Sequence, residues 1–373
     1  MNIGLMFSPL TITIAEATNT PSAMLEGFYA RISEELGAIE ERLTALLASE
    51  LELIQEINRH MVSGKRYRPA LALFFYKLFG GEADREQIVE AAATLEMLHL
   101  ATLTHDDVID QAEMRRNRPS LRERWNNRVS VLYGDFILAR VLRALHGMDD
   151  RVRAVFVETV ERISRGEMLQ EALRGKIPTR RQYFEVIANK TGALIETACV
   201  MGALLGDPEI EEERLKPIAA AGLALGIAYQ MVDDFLDIFG EAARIGKPTW
   251  KDRGESWITL PFIQLLERVE GTERQSIESL LNSQKGLKPA EQEYLIRQLD
   301  TCGVKAWFLS EVRSRINHAK VPVDEFEDSE YKQGLIASID FVVARTERYR
   351  ANSTDSGRGA EAEVMEKRWR LRS

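Results

Sequence analysis

Cysteine is almost missing: Cys199 and Cys302 are the only two in 373 residues, far apart and outside any metal-ligand spacing. This excludes a disulfide framework and a thiolate metal site, and it reads as a protein of the reducing cytoplasm. Histidine is nearly as scarce, with five. The pair His105–Asp106 suggests a metal phosphohydrolase of the HD type, but no second histidine stands at a ligand spacing, and that class is set aside. Long apolar runs are lacking too. No stretch reaches the roughly 18 apolar residues of a membrane span. The N-terminal MNIGLMFSPLTITIAEATNT has neither the basic nor the long apolar region of a signal peptide. Positive charge is also in deficit, with a formal charge of −9 and a pI near 5.4. A chain of that balance does not take nucleic acid as its main partner, and any anionic ligand must be met by lysines and arginines gathered locally.

Helical periodicity fills what remains, and strand alternation is rare, so the expected fold is all-α. Thr20 and Pro21 read as a helix start, with one helix running from Pro21 to about His60 and stopped by Ser63 and Gly64. Further helices are expected at roughly 68–79, 84–112, 129–146, 149–173, 180–205, 211–240, 257–268, 272–283, 288–301, 303–318 and 328–349. Several are apolar all round, as in AAAGLALGIAYQMVDDFLDIFG, which places them in the middle of a large bundle. No composition break divides residues 21–350, which read as one domain. Residues 1–20 read as poorly ordered and 351–373 as a polar tail. In that tail EKRWRLRS sets Trp369 among basic residues, a composition suited to weak peripheral contact with an anionic membrane.

The chemistry concentrates in two short stretches. LHLATLTHDDVIDQAEMRRNRPS brings Asp106, Asp107 and Asp110 onto one apolar helix and follows them with Arg115 and Arg116. QMVDDFLDIFG repeats the spacing with Asp233, Asp234 and Asp237. Carboxylates at i, i+1 and i+4 share one helix face, where they repel unless a cation sits among them. Oxygen-only ligation suits magnesium shared with substrate phosphates. Basic residues are set out to match: Lys65, Arg66 and Arg68 in SGKRYRP, then Lys190 beside Thr191, then Lys247. His99 lies two turns before Asp106 on the same face. Two carboxylate clusters with separate cations describe a site for two polyanions bridged by metal, and diphosphates fit best.

These motifs, with VLYGDFILA, GEMLQ, NKTGALIE and TLP in the same order, resemble the trans-prenyl diphosphate synthases, or polyprenyl synthetases, over about residues 25–348. The resemblance implies an isoprenoid synthase helical bundle, usually a homodimer, with the aspartate clusters facing each other across a central cavity. It implies that Asp106 and Asp110 bind magnesium, that Asp107 supports them, and that Asp233 with Asp237 holds the remaining ion, three in all with substrates bound. Lys65, Arg68, His99 and Arg116 match the positions that bind isopentenyl diphosphate. Arg115, Lys190, Thr191, Gln230 and Lys247 match those around an allylic diphosphate such as farnesyl or geranylgeranyl diphosphate. The dipoles of Thr191 and Gln230 are then expected to stabilise an allylic cation.

Chain length is expected to be set on the helix before the first cluster. Thr102 lies one turn before Asp106 with Ala101 beside it, and both are small, as in long-chain members of the octaprenyl and hexaprenyl kind. Leu98 and Leu95 lie deeper as a further floor. The expected product has about thirty carbons or more, with a fifteen-to-twenty-five-carbon product as the alternative. One segment departs from the family pattern: GKPTWKDRGESWITLP carries Trp250, Arg253, Ser256 and Trp257 where glycine, leucine, glycine and a diphosphate-contacting lysine are usual. An indole supplies no such charge, though Lys251 and Arg253 stand close by. A cyclase and a non-catalytic partner subunit are the rival readings. Intact aspartates and the isopentenyl diphosphate set argue against both.

Overall fold

The computed structural model describes residues 21–61, 66–81, 85–115, 118–240, 257–283 and 287–347. Sixteen α-helices are described: α1 (Pro21–Arg31), α2 (Ser33–Leu47), α3 (Glu52–Met61), α4 (Tyr67–Leu78), α5 (Arg85–Ile109), α6 (Leu121–Arg124), α7 (Asn127–Leu145), α8 (Asp150–Ala172), α9 (Arg180–Ile187), α10 (Ala193–Gly206), α11 (Glu212–Phe239), α12 (Leu260–Arg268), α13 (Gly271–Leu281), α14 (Pro289–Thr301), α15 (Val304–Asp324) and α16 (Glu330–Glu347). The fold is an all-α bundle, as expected. Its only described sheet is a two-stranded ribbon, β1 (Met114–Arg115) paired antiparallel with β2 (Arg118–Pro119).

Local sequence sets the helix starts. Asn126 caps α7 by accepting the Val129 amide at 3.0 Å, and Asp149 caps α8 by accepting the Arg151 amide at 2.8 Å. Thr179 and Gln182 form a capping box at α9. The middle of the bundle is α4, α10 and α11, packed in that order, with α5 against α7 and α15 against α11. Small residues permit the close crossings. A Cβ on Gly202 would lie 2.3 Å from the carbonyl oxygen of Ala72, so α10 meets α4 nearly backbone to backbone.

Three readings are corrected. The single helix from Pro21 to His60 is three, broken at Ile32 and again at Ala48–Leu51, because the first segment turns to pack on α16 while the second packs on α5. The segment 180–205 is interrupted by a π-turn over Ala188–Gly192. The helix expected at 303–318 runs on to Asp324 through Pro322. Among the described residues one helix, Glu212–Phe239, has the length and mean hydropathy of a membrane span, though no run of 18 apolar residues. It lies instead at the bundle centre, covered by α10 and α15.

Candidate active site

Helices α5, α8, α9, α11 and the π-turn enclose a cavity of about 390 Å³. The first cluster enters from α5. Asp106 and Asp110 line the cavity, whereas Asp107 points into the protein and is completely buried. The helix ends at Ile109, immediately before Asp110, and the left-handed φ of 51° at Gln111 turns the chain back. That reversal brings Arg115, on β1, over Asp107, where its Nε donates to Oδ1 at 2.8 Å. Arg115 also lines the cavity, so one arginine anchors the inner carboxylate and faces the ligand space.

The second cluster enters from α11. Asp233 and Asp234 line the cavity; Asp237, one turn on, is buried and outside the lining. Spacing pairs the first and last aspartates of each motif on one face, and the first copy obeys this. In the second copy Asp234 takes the wall position beside Asp233. Gln230 Nε2 donates to Asp234 Oδ1 at 2.9 Å, and Thr191 Oγ1 donates to Gln230 Oε1 at 2.8 Å. Arg345 on α16 donates to Asp233 Oδ1.

Lys190 and Thr191 both line the cavity from the π-turn, where successive side chains stand somewhat closer together than the roughly 100° of an α-helix. Glycines receive it: a Cβ on Gly166 would sit 2.9 Å from Asn189 Cβ, and one on Gly226 would sit 2.6 Å from the Cα of Gly192. Lys190 Nζ meets Glu167 Oε1 at 2.6 Å and Gln170 Oε1 at 3.1 Å. Burial works against its charge, but Glu167 and Asp106 hold the ammonium above the ordinary lysine range.

Sequence reasoning placed Arg68, His99, Thr102, Asp106, Asp110, Arg115, Lys190, Thr191, Gln230 and Asp233 at one site, and all ten line this cavity. Ala101 and Leu98 lie buried behind the lining, each about 1% exposed. Lys65, Arg116 and Lys247 lie outside the described residues, as do Trp250, Lys251, Arg253, Ser256 and both terminal segments. Glu96, Glu167, Gln170 and Tyr183 were missed. Glu96 stands three residues before His99 and Glu167 three before Gln170, spacings that put each pair on one face. Tyr183 is two turns before Lys190.

Electrostatics test whether a metal–diphosphate fits. Among the described lining residues six carboxylates face four lysine and arginine side chains. Burial first, then Glu167 and Asp110, push the Asp106 carboxyl up to about 7, against the pull of Lys190 and Arg115. A cation would relieve that crowding. Among the described residues no group of three acidic, histidine or cysteine side chains is placed to hold a metal ion. On the other wall Arg68 Nε is buried with no hydrogen-bond partner, a donor available to an anion. Arg66 is not available in this way, since it donates to Glu96 at 3.0 Å and to Glu40 at 2.6 Å.

A helical bundle that gathers two aspartate clusters and these cations around one cavity is of the isoprenoid synthase class. The polyprenyl synthetase family model matches residues 51–299, and the chain belongs to that family, whose members are prenyltransferases. It is 35% identical over 254 residues to a heptaprenyl diphosphate synthase component 2 from Geobacillus stearothermophilus, covering 66% of this chain and 78% of that one. It is 32% identical to a geranyl-diphosphate-specific all-trans-nonaprenyl-diphosphate synthase from Rhodobacter capsulatus, over 83% and 95% of the two chains. The solved structure of a Caulobacter crescentus polyprenyl synthase, complexed with calcium and isoprenyl diphosphate, superposes with a TM-score of 0.79 at 25% identity, over 86% and 97%.

Proposed function

We propose that this enzyme condenses an allylic diphosphate with isopentenyl diphosphate in a magnesium-dependent reaction that yields a long-chain polyprenyl diphosphate. The observation that carries the reading is the meeting, in one cavity, of Asp106 and Asp110 with Asp233 and Asp234, and of both with Lys190, Arg115 and the unpartnered Arg68. Asp106, Asp110 and Asp233 would hold the magnesium, with Asp107 and Asp237 behind them. When bound, the metal neutralises charge that builds on a departing diphosphate. Lys190 and Arg115 hold the allylic diphosphate and stabilise the same charge as the C–O bond breaks. Arg68 and His99, with Lys65 and Arg116, hold isopentenyl diphosphate so that its double bond faces the allylic carbon. Thr191 and Gln230 turn their oxygens toward the cation. The proton lost after carbon–carbon bond formation passes to the released diphosphate. Leu103, Ile163, Val186, Ile187 and Leu194 form an apolar wall that keeps water from the cation.

Small Thr102 at the lining, with Ala101 and Leu98 behind it, supports a product of about thirty carbons or more, since little bulk meets the growing chain. We further propose a homodimer, supported by Leu132 and Leu142, which stand 61% and 67% exposed on α7. Two free cysteines support a cytoplasmic site. A second reading is favoured by the relative named as component 2: the chain is one half of a two-component synthase.

The test is incubation of the purified protein with magnesium, farnesyl diphosphate and labelled isopentenyl diphosphate, with products sized by chromatography. A ladder ending at long products supports the reading. No incorporation with any allylic primer favours the two-component alternative or defeats prenyl transfer.

A further inference from the structure

We propose that Tyr183 is a positioning residue for the ionisation step and that Trp257 shields it from water; the inference rests on the prenyl-transfer reading of the cavity. Tyr183 is fully buried on α9, and its hydroxyl donates to Asp234 Oδ2. The other oxygen of Asp234 accepts from Gln230 Nε2 at 2.9 Å. An ionised carboxylate only accepts hydrogen bonds, so both neighbours must present protons to it. That requirement fixes the direction of the Gln230 amide. Turned over, its carbonyl oxygen would face the carboxylate lone pair to lone pair.

With its NH₂ group committed to Asp234, Gln230 presents Oε1 to Thr191 and accepts the threonine proton at 2.8 Å. The threonine oxygen then keeps its lone pairs for the cavity, which both residues line. Two dipoles thus turn their negative ends toward the place where positive charge develops. Tyr183 touches neither substrate nor cavity; it acts through Asp234 and Gln230.

Trp257 completes the device. Its ring lies within 15° of parallel to that of Tyr183, with centroids 6.4 Å apart, and it lines the cavity while only 7% exposed. An indole at this wall brings no charge to compete for Asp234 and excludes water beside the tyrosine–carboxylate bond, where low polarity strengthens it.

Tyr183→Phe removes one hydroxyl and keeps the ring stack. Its kcat for incorporation of labelled isopentenyl diphosphate is expected to fall by about tenfold to a hundredfold, the range of a lost buried hydrogen bond. Both KM values should stay within about twofold, because ground-state binding is untouched. In a Gln230→Leu background the same change should cost less than about twofold, since it acts through that amide. Protein labelled with ¹⁵N-glutamine gives a readout independent of turnover: the Gln230 side-chain amide, identified by its loss in Gln230→Leu, should exchange its protons faster in Tyr183→Phe. Unchanged kcat, an effect on KM alone, full multiplicativity with Gln230→Leu, or unaltered amide exchange each overturns the proposal. If Tyr183→Phe fails to fold, Trp257→Phe opens the same bond to water, and faster Gln230 amide exchange is again expected, with unchanged exchange overturning the proposal. A wild-type protein that incorporates nothing defeats the prenyl-transfer reading, whereas the amide exchange still decides the ordering of the network.

Discussion

Arg345 donates from Nη2 to Asp233 Oδ1 at 2.5 Å, joining the last described helix to a carboxylate 112 residues earlier. Its guanidinium also lies 4.8 Å from the centre of the Tyr229 ring. Burial opposes the charge of Arg345, but Asp233 and Tyr229 more than restore it. A metal at Asp233 would bind the other oxygen, Oδ2, share Oδ1, or displace the arginine.

Arg345→Met is therefore expected to destabilise the metal-free protein by about 2 kcal/mol, less than the roughly 3–5 kcal/mol of a fully buried pair because both partners reach solvent. Denaturant titration with and without magnesium checks it. Magnesium plus inorganic diphosphate should recover more stability in the variant than in the wild type, because Asp233 then lacks its resident cation.

The raised Asp106 carboxyl gives a pH dependence of definite sign. Its folded-state value near 7 lies above the ordinary 3.8, so the folded protein binds the extra proton between those values. Its contribution to metal-free stability is complete below the unfolded value and is lost as pH rises through about 7. Magnesium must displace that proton, so apparent affinity should climb with pH and level off above about 7. Calorimetric magnesium titrations from acid to alkaline pH should show this rise, and Asp106→Asn should flatten it.

Asp110→Asn separates function from stability. Relief of repulsion among the carboxylates should leave the melting temperature unchanged or slightly higher, while turnover falls by at least about a hundredfold. Thermal melts and product assays on the same sample check both halves.

Product length should respond to Thr102 more cleanly than to Ala101. Thr102 is half-buried at the cavity lining, so Thr102→Phe projects a ring into free space and should shorten the product. Ala101 is about 1% exposed inside the core, where a phenylalanine costs roughly 1–3 kcal/mol of overpacking. Chromatography of products beside thermal melts distinguishes the two outcomes.

The helical pattern made most of the bundle legible, and the two aspartate motifs led directly to the cavity. Spacing failed where geometry was not that of a straight α-helix or where it took partners from afar. Asp237 shares a face with Asp233 on a helical projection, yet Asp234 is the one beside it at the wall, held there by Tyr183 from α9. The breaks at Ile32 and after Leu47 carry no glycine or proline: the first divides a segment packed on α16 from one packed on α5, and at the second Ser49 Oγ accepts the Leu51 amide at 3.2 Å, a serine turn the periodicity did not reveal. Lys190 and Thr191 were legible as a pair, but the π-turn that carries them leaves no mark in residue type.

The contact of Gly226 with Gly192 has one more consequence. Where two backbones touch, their separation cannot be tuned by choosing another rotamer, so the gap between Thr191 and Gln230 is held to a fixed gauge. The lining set by Thr102, Ile163 and Leu194 is made of side chains and carries no such constraint. Under the proposed prenyl transfer, the tolerances of bond-making and those of product size would thus rest in different materials, main chain for the first and replaceable side chains for the second.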